Sequence, residues 1–184
     1  LIAATTRISM LSAPLRSRFS GGTFRLNYYT EGEIAEILKR SANILNIKID
    51  AESLTEVARR SRATPRTANY LLKRARDFAE VNEEPLHIKT VKKALALLEI
   101  DEGGLNQTDR DILTIIIEKF GGGPVGLKTV SASLSEEEDT IEEVHEPYLM
   151  QLGLLERTPR GRTVTKKGYQ HVGVEIPRAQ QRLI

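Results

Sequence analysis

The sequence predicts a mainly α-helical protein: a short opening segment that contains strands, then two small domains in series. Three observations point there. Between Thr30 and Leu98 apolar residues recur at helical spacing, and the runs open on capping residues without any strand-like alternation. At Asp101-Glu102-Gly103-Gly104 the pattern stops and then restarts, and glycine pairs lose too much entropy on ordering to sit comfortably inside an element. From Leu154 to Thr165 two short extended runs flank a Pro-Arg-Gly turn, which reads as a hairpin.

Taken in order, residues 1 to about 28 read as one strand in the apolar opening, an irregular arginine-bearing stretch, and a second short strand over 23–28. The opening looks like the middle of a buried strand, which needs neighbours on both sides, so a further segment is expected upstream. This span holds Arg7, Arg16, Arg18 and Arg25 and no acidic residue, a balance that suits a surface facing phosphates or an acidic neighbour. Thr30 and Glu33 form a capping box, and Tyr29 with Ile34 can form its hydrophobic staple. Ile34, Ile37, Leu38, Ser41 and Leu45 then mark an amphipathic helix. Asp50 caps a second helix carrying Leu54, Val57 and Ala58. Thr64 as N-cap and Pro65 as first helical residue open a third, with Ala68, Leu71, Leu72 and Ala75 inward. A fourth opens near Thr90 and carries Val91, Ala94, Leu95 and Leu98. Four short helices without a strand ladder make a compact bundle.

After the glycine pair, Ile112, Leu113, Ile115, Ile116 and Phe120 share one helix, closed by Gly121-Gly122-Gly123. A helix over Leu127 to Leu134 follows. A third runs from near Asp139 to Leu152, kinked by Pro147 and ended by Gly153. Three helices plus the hairpin read as a winged helix, and the tail after Val174 reads as loosely ordered. The glycines at 121–126 are no phosphate-binding loop, because no Gly-Lys-Ser/Thr follows and they close a helix rather than open one.

Composition excludes several classes. With 184 residues, 40% hydrophobic and 28% charged, the chain has room for one or two small domains. A net charge of +2 is too small to prove nucleic-acid binding, so the distribution of charge matters more than its sum. The absence of cysteine removes disulfide and thiolate chemistry and suits a reducing cytoplasm. His87, His145 and His171 lack metal-ligand spacing, and no apolar run is long enough for a membrane span, so no metal site and no membrane partner are expected.

Two clusters carry chemistry. In Ser61-Arg62-Ala63-Thr64-Pro65-Arg66, Arg66 falls in the first helical turn, where the macrodipole is positive and a cation costs a few tenths to about 1 kcal/mol. Arg62 stands just before the cap. The pair makes sense if an anion such as a phosphate docks there, and otherwise both are solvated surface arginines. In the hairpin, Arg157, Arg160, Arg162, Lys166 and Lys167 surround a tight turn that can enter a groove and touch phosphates without reading sequence, or is an ordinary basic surface turn. The preceding helix is unsuited to the major groove: Glu136, Glu137, Glu138, Asp139, Glu142, Glu143 and Glu146 would be repelled by phosphate, so it is expected to face away from a duplex.

These pieces, in this order, resemble the C-terminal half of an AAA+ ATPase, and more closely the RuvB family of bacterial Holliday-junction branch-migration motors. The resemblance rests on Ala4-Thr5-Thr6-Arg7, Ser12-Ala13-Pro14-Leu15-Arg16-Ser17-Arg18-Phe19, Thr64-Pro65-Arg66, Glu118-Lys119-Phe120-Gly121-Gly122-Gly123-Pro124-Val125-Gly126 and Arg157-Thr158-Pro159-Arg160-Gly161-Arg162. It implies the end of an AAA+ α/β core at 1–29, a helical lid at 30–102, a DNA-binding winged helix at 103–175 and a flexible tail at 176–184. It also implies roles. Thr6 is the first sensor, orienting the attacking water, or else a strand-end threonine bonded to backbone. Arg18 is the arginine finger reaching a neighbouring subunit's γ-phosphate, with Arg16 the near alternative. Arg66 contacts nucleotide, Arg62 is the second sensor, and Tyr29 packs by the nucleotide unless its staple role accounts for it. Arg157 and Arg162 are carried over as DNA contacts, and Arg160 joins them from the hairpin reading.

The family usually has glycine where Ala4, Ser20 and Ala63 stand, and the run Ser20-Gly21-Gly22-Thr23 looks one residue longer than usual. At 63 the consequence turns on the sign of φ. A basic position sometimes found in the family is Glu138 here. The chain has no Walker A or Walker B element, so ATP with magnesium is the implied cofactor of the intact subunit, and this chain alone is expected not to hydrolyse it. Implied partners are duplex DNA at Holliday junctions, the junction-binding protein RuvA, the RuvC resolvase and further copies in a homohexamer. Two other readings compete. A non-enzymatic winged-helix regulator leaves Arg16, Arg18, Arg62 and Arg66 idle, and a clamp-loader-like AAA+ subunit does not explain the wing.

Overall fold

The structure, a computed structural model, describes residues 2–5, 8–19 and 21–175. Among the described residues, neither strand expected in the opening segment forms. Residues 2–5 and 23–28 are irregular and exposed, with Ile2 99% exposed. A strand is held by ladder bonds to a neighbour, and the only sheet among the described residues lies far along the chain. In place of an irregular arginine stretch there are a 3₁₀ turn at Ile8–Met10 and a short helix α1 at Ala13–Ser17, with Pro14 in its first turn.

The helical bundle comprises α2 (Glu31–Ile44), α3 (Ala51–Arg59), α4 (Pro65–Val81) and α5 (Ile88–Leu97). The Thr30–Glu33 capping box forms reciprocally, and Asp50 accepts from the Ser53 N–H at 2.7 Å. Thr64 sits at the N-cap of α4 with Pro65 behind it, but makes no cap bond: its hydroxyl donates to Thr67 Oγ1 at 2.8 Å. The α5 cap is His87, whose Nδ1 accepts from the Thr90 N–H, three residues earlier than the threonine expected to open it. Ile34, Leu38, Val57, Ala68, Leu71, Leu72 and Leu95 meet in a core from which water is excluded. Glu56 enters this domain's edge as a charge. Burial alone would raise its pKa, but the hydrogen bond and charge of Arg60, helped by Arg59, outweigh that and hold the carboxyl below its ordinary range.

A second core gathers Leu105, Ile112, Leu113, Ile116, Ile141, Leu149, Leu155, Val164 and Tyr169. Its helices are α6 (Gln107–Phe120), α7 (Leu127–Leu134), a segmented third helix, and α10 (Lys166–Val172). The third helix is α8 (Glu138–Thr140), a π-helical turn (Ile141–His145) and α9 (Glu146–Gln151). Pro147 has no N–H to give, and the chain answers with the π turn, in which the Glu146 N–H reaches Ile141 O. Strands β1 (Leu155–Thr158) and β2 (Gly161–Val164) pair antiparallel, with Leu155 opposite Val164 and Arg157 opposite Arg162. Val125 adds a bridge on the far side of β2, through Val125 N to Arg162 O at 2.9 Å and Arg162 N to Val125 O at 2.8 Å. Gly123 (φ 100°) lies so close to this strand that a Cβ would strike Arg162 O. The glycine run therefore closes α6 and lets the wing settle against it.

Candidate nucleotide-facing and DNA-facing sites

The loop before α4 is built from unusual backbone. Arg62 and Ala63 are both left-handed, at φ 56° and 52°, a conformation that costs an L-residue about 1–2 kcal/mol. The alanine at 63 therefore occupies a position that favours glycine. The loop is tied down by Ser61 Oγ donating to Ala58 O at 2.7 Å and by the Tyr29 N–H reaching Ala63 O at 3.4 Å. That last bond brings the 46%-exposed Tyr29 beside the arginine loop. Arg66 projects from the first turn of α4, exposed, with no carboxylate in that turn and no ion-pair partner among the described residues.

Arg62 departs from the sequence reading. Its guanidinium turns away from the start of α4: Nη2 meets Asp109 Oδ1 at 2.9 Å, and the group lies 4.7 Å from the Tyr148 ring centroid. Both partners stand on helices of the second domain, Asp109 on α6 and Tyr148 on α9. The left-handed backbone at 62 and 63 directs the side chain there, and a partner 47 residues away cannot be read from local spacing.

Of the opening-segment residues, Thr6 lies outside the described residues. Arg18 ends α1, its N–H on Leu15 O at 3.1 Å, and both Arg16 and Arg18 are exposed without an ion-pair partner among the described residues. No bond joins them to the loop of Arg62 and Arg66 among the described residues.

On the wing, the three arginines have three different fates. Arg160 is at the tip, exposed and without an ion-pair partner among the described residues, on a turn held by Thr158 Oγ1 donating to Gly161 O at 2.8 Å. Arg157, with its side chain 51% exposed, meets Glu142 at 2.7 Å. Arg162 is buried, and its Nε donates to Glu146 Oε1 at 2.5 Å and its Nη2 to Oε2 at 3.2 Å. The expectation that Arg162 stands free for phosphate does not match this geometry, because its two-pronged fork is already filled by a carboxylate that is itself buried. Within the winged domain the acidic third helix faces the wing, with Glu142 on Arg157 and Glu146 on Arg162. Lys167 is also engaged, donating to Leu152 O at 2.8 Å, while Lys166 is exposed.

From the sequence Asp109 and Tyr148 drew no attention, and His145 and Glu146 were given no bonding partner. Asp109 had one visible signal, the Asn106-x-x-Asp109 capping box, which forms. Tyr148 donates to Gly103 O at 2.7 Å, and burial pushes its hydroxyl up to about 12. Among the described residues no helix is long and apolar enough to cross a membrane, and no cluster of three or more His, Asp and Glu side chains could hold a metal ion.

Comparison with known proteins meets this geometry directly. The pattern of the RuvB AAA lid domain matches residues 29–101, and that of the RuvB C-terminal winged helix domain matches residues 102–173. The chain is 54% identical over 181 residues to the Holliday junction branch migration complex subunit RuvB of Lactobacillus gasseri, covering 98% of this chain and 53% of that protein. It is 56% identical over 174 residues to the protein of the same description from Lactobacillus johnsonii, covering 94% and 51%. Among solved structures it resembles the Thermotoga maritima RuvB Holliday junction branch migration motor, with a TM-score of 0.87 at 48% identity over 92% of this chain and 57% of that one. A point mutant of the same protein gives 0.89, also at 48% identity, over 94% and 58%. The chain thus spans about half the length of the relatives it matches. With both domains and their order accounted for, the chain belongs to the RuvB family.

Proposed function

We propose that this chain is the portion of a hexameric ATP-driven DNA motor that carries the lid and the DNA-facing wing, working in branch migration of Holliday junctions during recombination and repair. The observation that carries the reading is Arg66: an exposed guanidinium in a helix's first turn, with no carboxylate beside it. Such a cation is unfavourable for the helix and favourable for a bound phosphate. A stand-alone DNA-binding regulator has no use for it. Toward ATP the chain would offer Arg66, with Tyr29 alongside, and Arg18 as a finger for a neighbouring copy's nucleotide, with Thr6 as first sensor. The described residues hold no cluster that would serve magnesium, so its ligands would come from elsewhere in the assembly. Arg160 at the tip and Arg157 beside it would touch duplex backbone, as a translocating motor needs contacts that ignore sequence. RuvA, RuvC and further copies of the subunit are the partners this reading implies, in the cytoplasm.

The finger is the decisive test. In the full-length parent, Arg18→Ala should leave nucleotide binding nearly unchanged and lower hydrolysis by about 10³-fold or more. Mixing it with a subunit lacking the phosphate-loop lysine should restore part of the activity, since an intact finger then faces an intact pocket. Loss of binding itself, or no recovery on mixing, would refute the trans assignment. Arg16→Ala run in parallel decides between the two candidates.

A further inference from the structure

A buried carboxylate held from two domains is left over by both the nucleotide and the DNA reading. Asp109 is 0% exposed. Its Oδ2 accepts from the Asn106 N–H at 2.9 Å, which completes the capping box of α6. Its Oδ1 meets both Arg62 Nη2 at 2.9 Å and His145 Nδ1 at 2.7 Å. Arg62 comes from the lid and His145 from the third helix of the winged domain. Tyr148, over whose ring Arg62 lies, donates to Gly103 O in the linker. Gly104 (φ 75°) packs so closely that a Cβ would come within 2.9 Å of both Arg60 O and the Tyr148 hydroxyl.

A capping box has no need of full burial or of a partner from another domain. Nor does the lid gain anything locally from Arg62, whose left-handed backbone is a cost. Removing one member of such a buried pair leaves an uncompensated charge, so the arrangement favours one relative placement of the two domains. The loop that carries Arg62 leads straight into the first turn of α4, where Arg66 stands, and it is pinned at Ser61 and Ala63.

We propose that Asp109 is a positioning residue that locks the winged helix to the loop at 61–66 through Arg62, so that this loop carries movement at Arg66 to the wing. The proposal goes beyond the motor reading and rests on it only for what moves the loop. Arg62 is then an interdomain strut rather than a nucleotide contact.

The chain has no cysteine, so spin labels can be placed at Lys39→Cys on the lid and Lys128→Cys on the winged domain, both exposed positions, and their distance read by pulsed electron resonance. The parent should give one narrow distribution. Arg62→Ala should broaden or split it, Asp109→Asn should do the same while keeping a capping acceptor, and the double variant should broaden it no further than either single. Arg66→Ala, in the helical turn that follows the loop, should leave the distribution narrow. Arg62→Ala should also leave affinity for a random duplex unchanged, since the wing is untouched. A distribution as narrow and as centred in Arg62→Ala as in the parent overturns the strut, and so does additive broadening in the double variant. If Asp109→Asn fails to fold, Arg62→Ala, at a partly exposed position, decides alone. A chain that binds no duplex at all would sink the DNA reading while the distance measurement still decides this one.

Discussion

Arg160 and Arg162 stand two residues apart and do opposite things. Arg160 is exposed at the tip with no ion-pair partner among the described residues, so Arg160→Ala should weaken binding to any duplex by a similar factor and reduce the slope of log affinity against log salt by about 1. A salt titration on two unrelated sequences of equal length checks this, and loss on one alone would mean base readout. Arg162→Ala should instead destabilise the fold by about 3–5 kcal/mol, because Glu146 is left buried and unpaired. Thermal or urea unfolding reads that difference, and an unfolding curve like the parent's would show the pair to be dispensable. Ala63 gives a prediction of the other sign. At φ 52° a glycine relieves the left-handed strain, so Ala63→Gly should stabilise the chain by up to about 1 kcal/mol. A lowered melting temperature would mean that the loop's geometry is not strained.

At the scale of elements, α3 shows how acid should weaken the fold. Asp50 is held below its ordinary range mainly by the backbone N–H of Ser53, and Glu56 by Arg60 and Arg59 against the cost of burial. Both folded pKa values are depressed relative to the unfolded chain. Their contribution is therefore complete above the usual carboxylate range, about pH 4, and is lost as pH falls through the lower folded values. Stability should drop with acid in that window, and Glu56→Gln should be less stable at neutral pH yet show a shallower acid decline. An unchanged acid slope in that variant, measured by chemical denaturation at several pH values, would remove Glu56 from the account. The third winged-domain helix shows a different kind of control: its kink is legible from Pro147, but the π turn that absorbs it is not. How a helix re-pairs around a missing N–H depends on what the surrounding core, here the one that holds Ile141, leaves room for.

Across the whole molecule the lid and the winged domain share more than a linker. Arg110 Nη1 donates to Glu99 O at 2.9 Å and His171 Nε2 meets Asp101 Oδ2 at 2.7 Å, both reaching from the winged domain to the end of the lid. Heat should unfold the two cores in a single transition, and Arg62→Ala should begin to separate them in calorimetry; two resolved transitions in the parent would show the junction to be weak. The same chain, purified alone, is expected to show no ATP turnover, since it offers phosphate an arginine but no phosphate-cradling loop. Magnesium-dependent hydrolysis that survives purification would count against that.

Local patterns determined the parts that depend on near neighbours in the chain. The capping boxes at Thr30 and Asn106, the helix over Leu127–Leu134, the glycine closure at Gly121 and the hairpin at 155–164 all follow from interactions a few residues long. The bundle and the winged helix were legible for the same reason, as the apolar spacing that makes each helix amphipathic also says which faces must meet. Tertiary structure alone decided where the charges went. Arg62, Arg157 and Arg162 look alike in sequence, yet one bridges two domains, one lies half-exposed against Glu142, and one is buried on Glu146. The described residues of the opening segment form no strand for the converse reason, since a strand exists only where another backbone lies beside it. A long, flexible guanidinium is likewise steered by whichever carboxylate the fold brings within reach, and that distance is set by packing rather than by spacing along the chain.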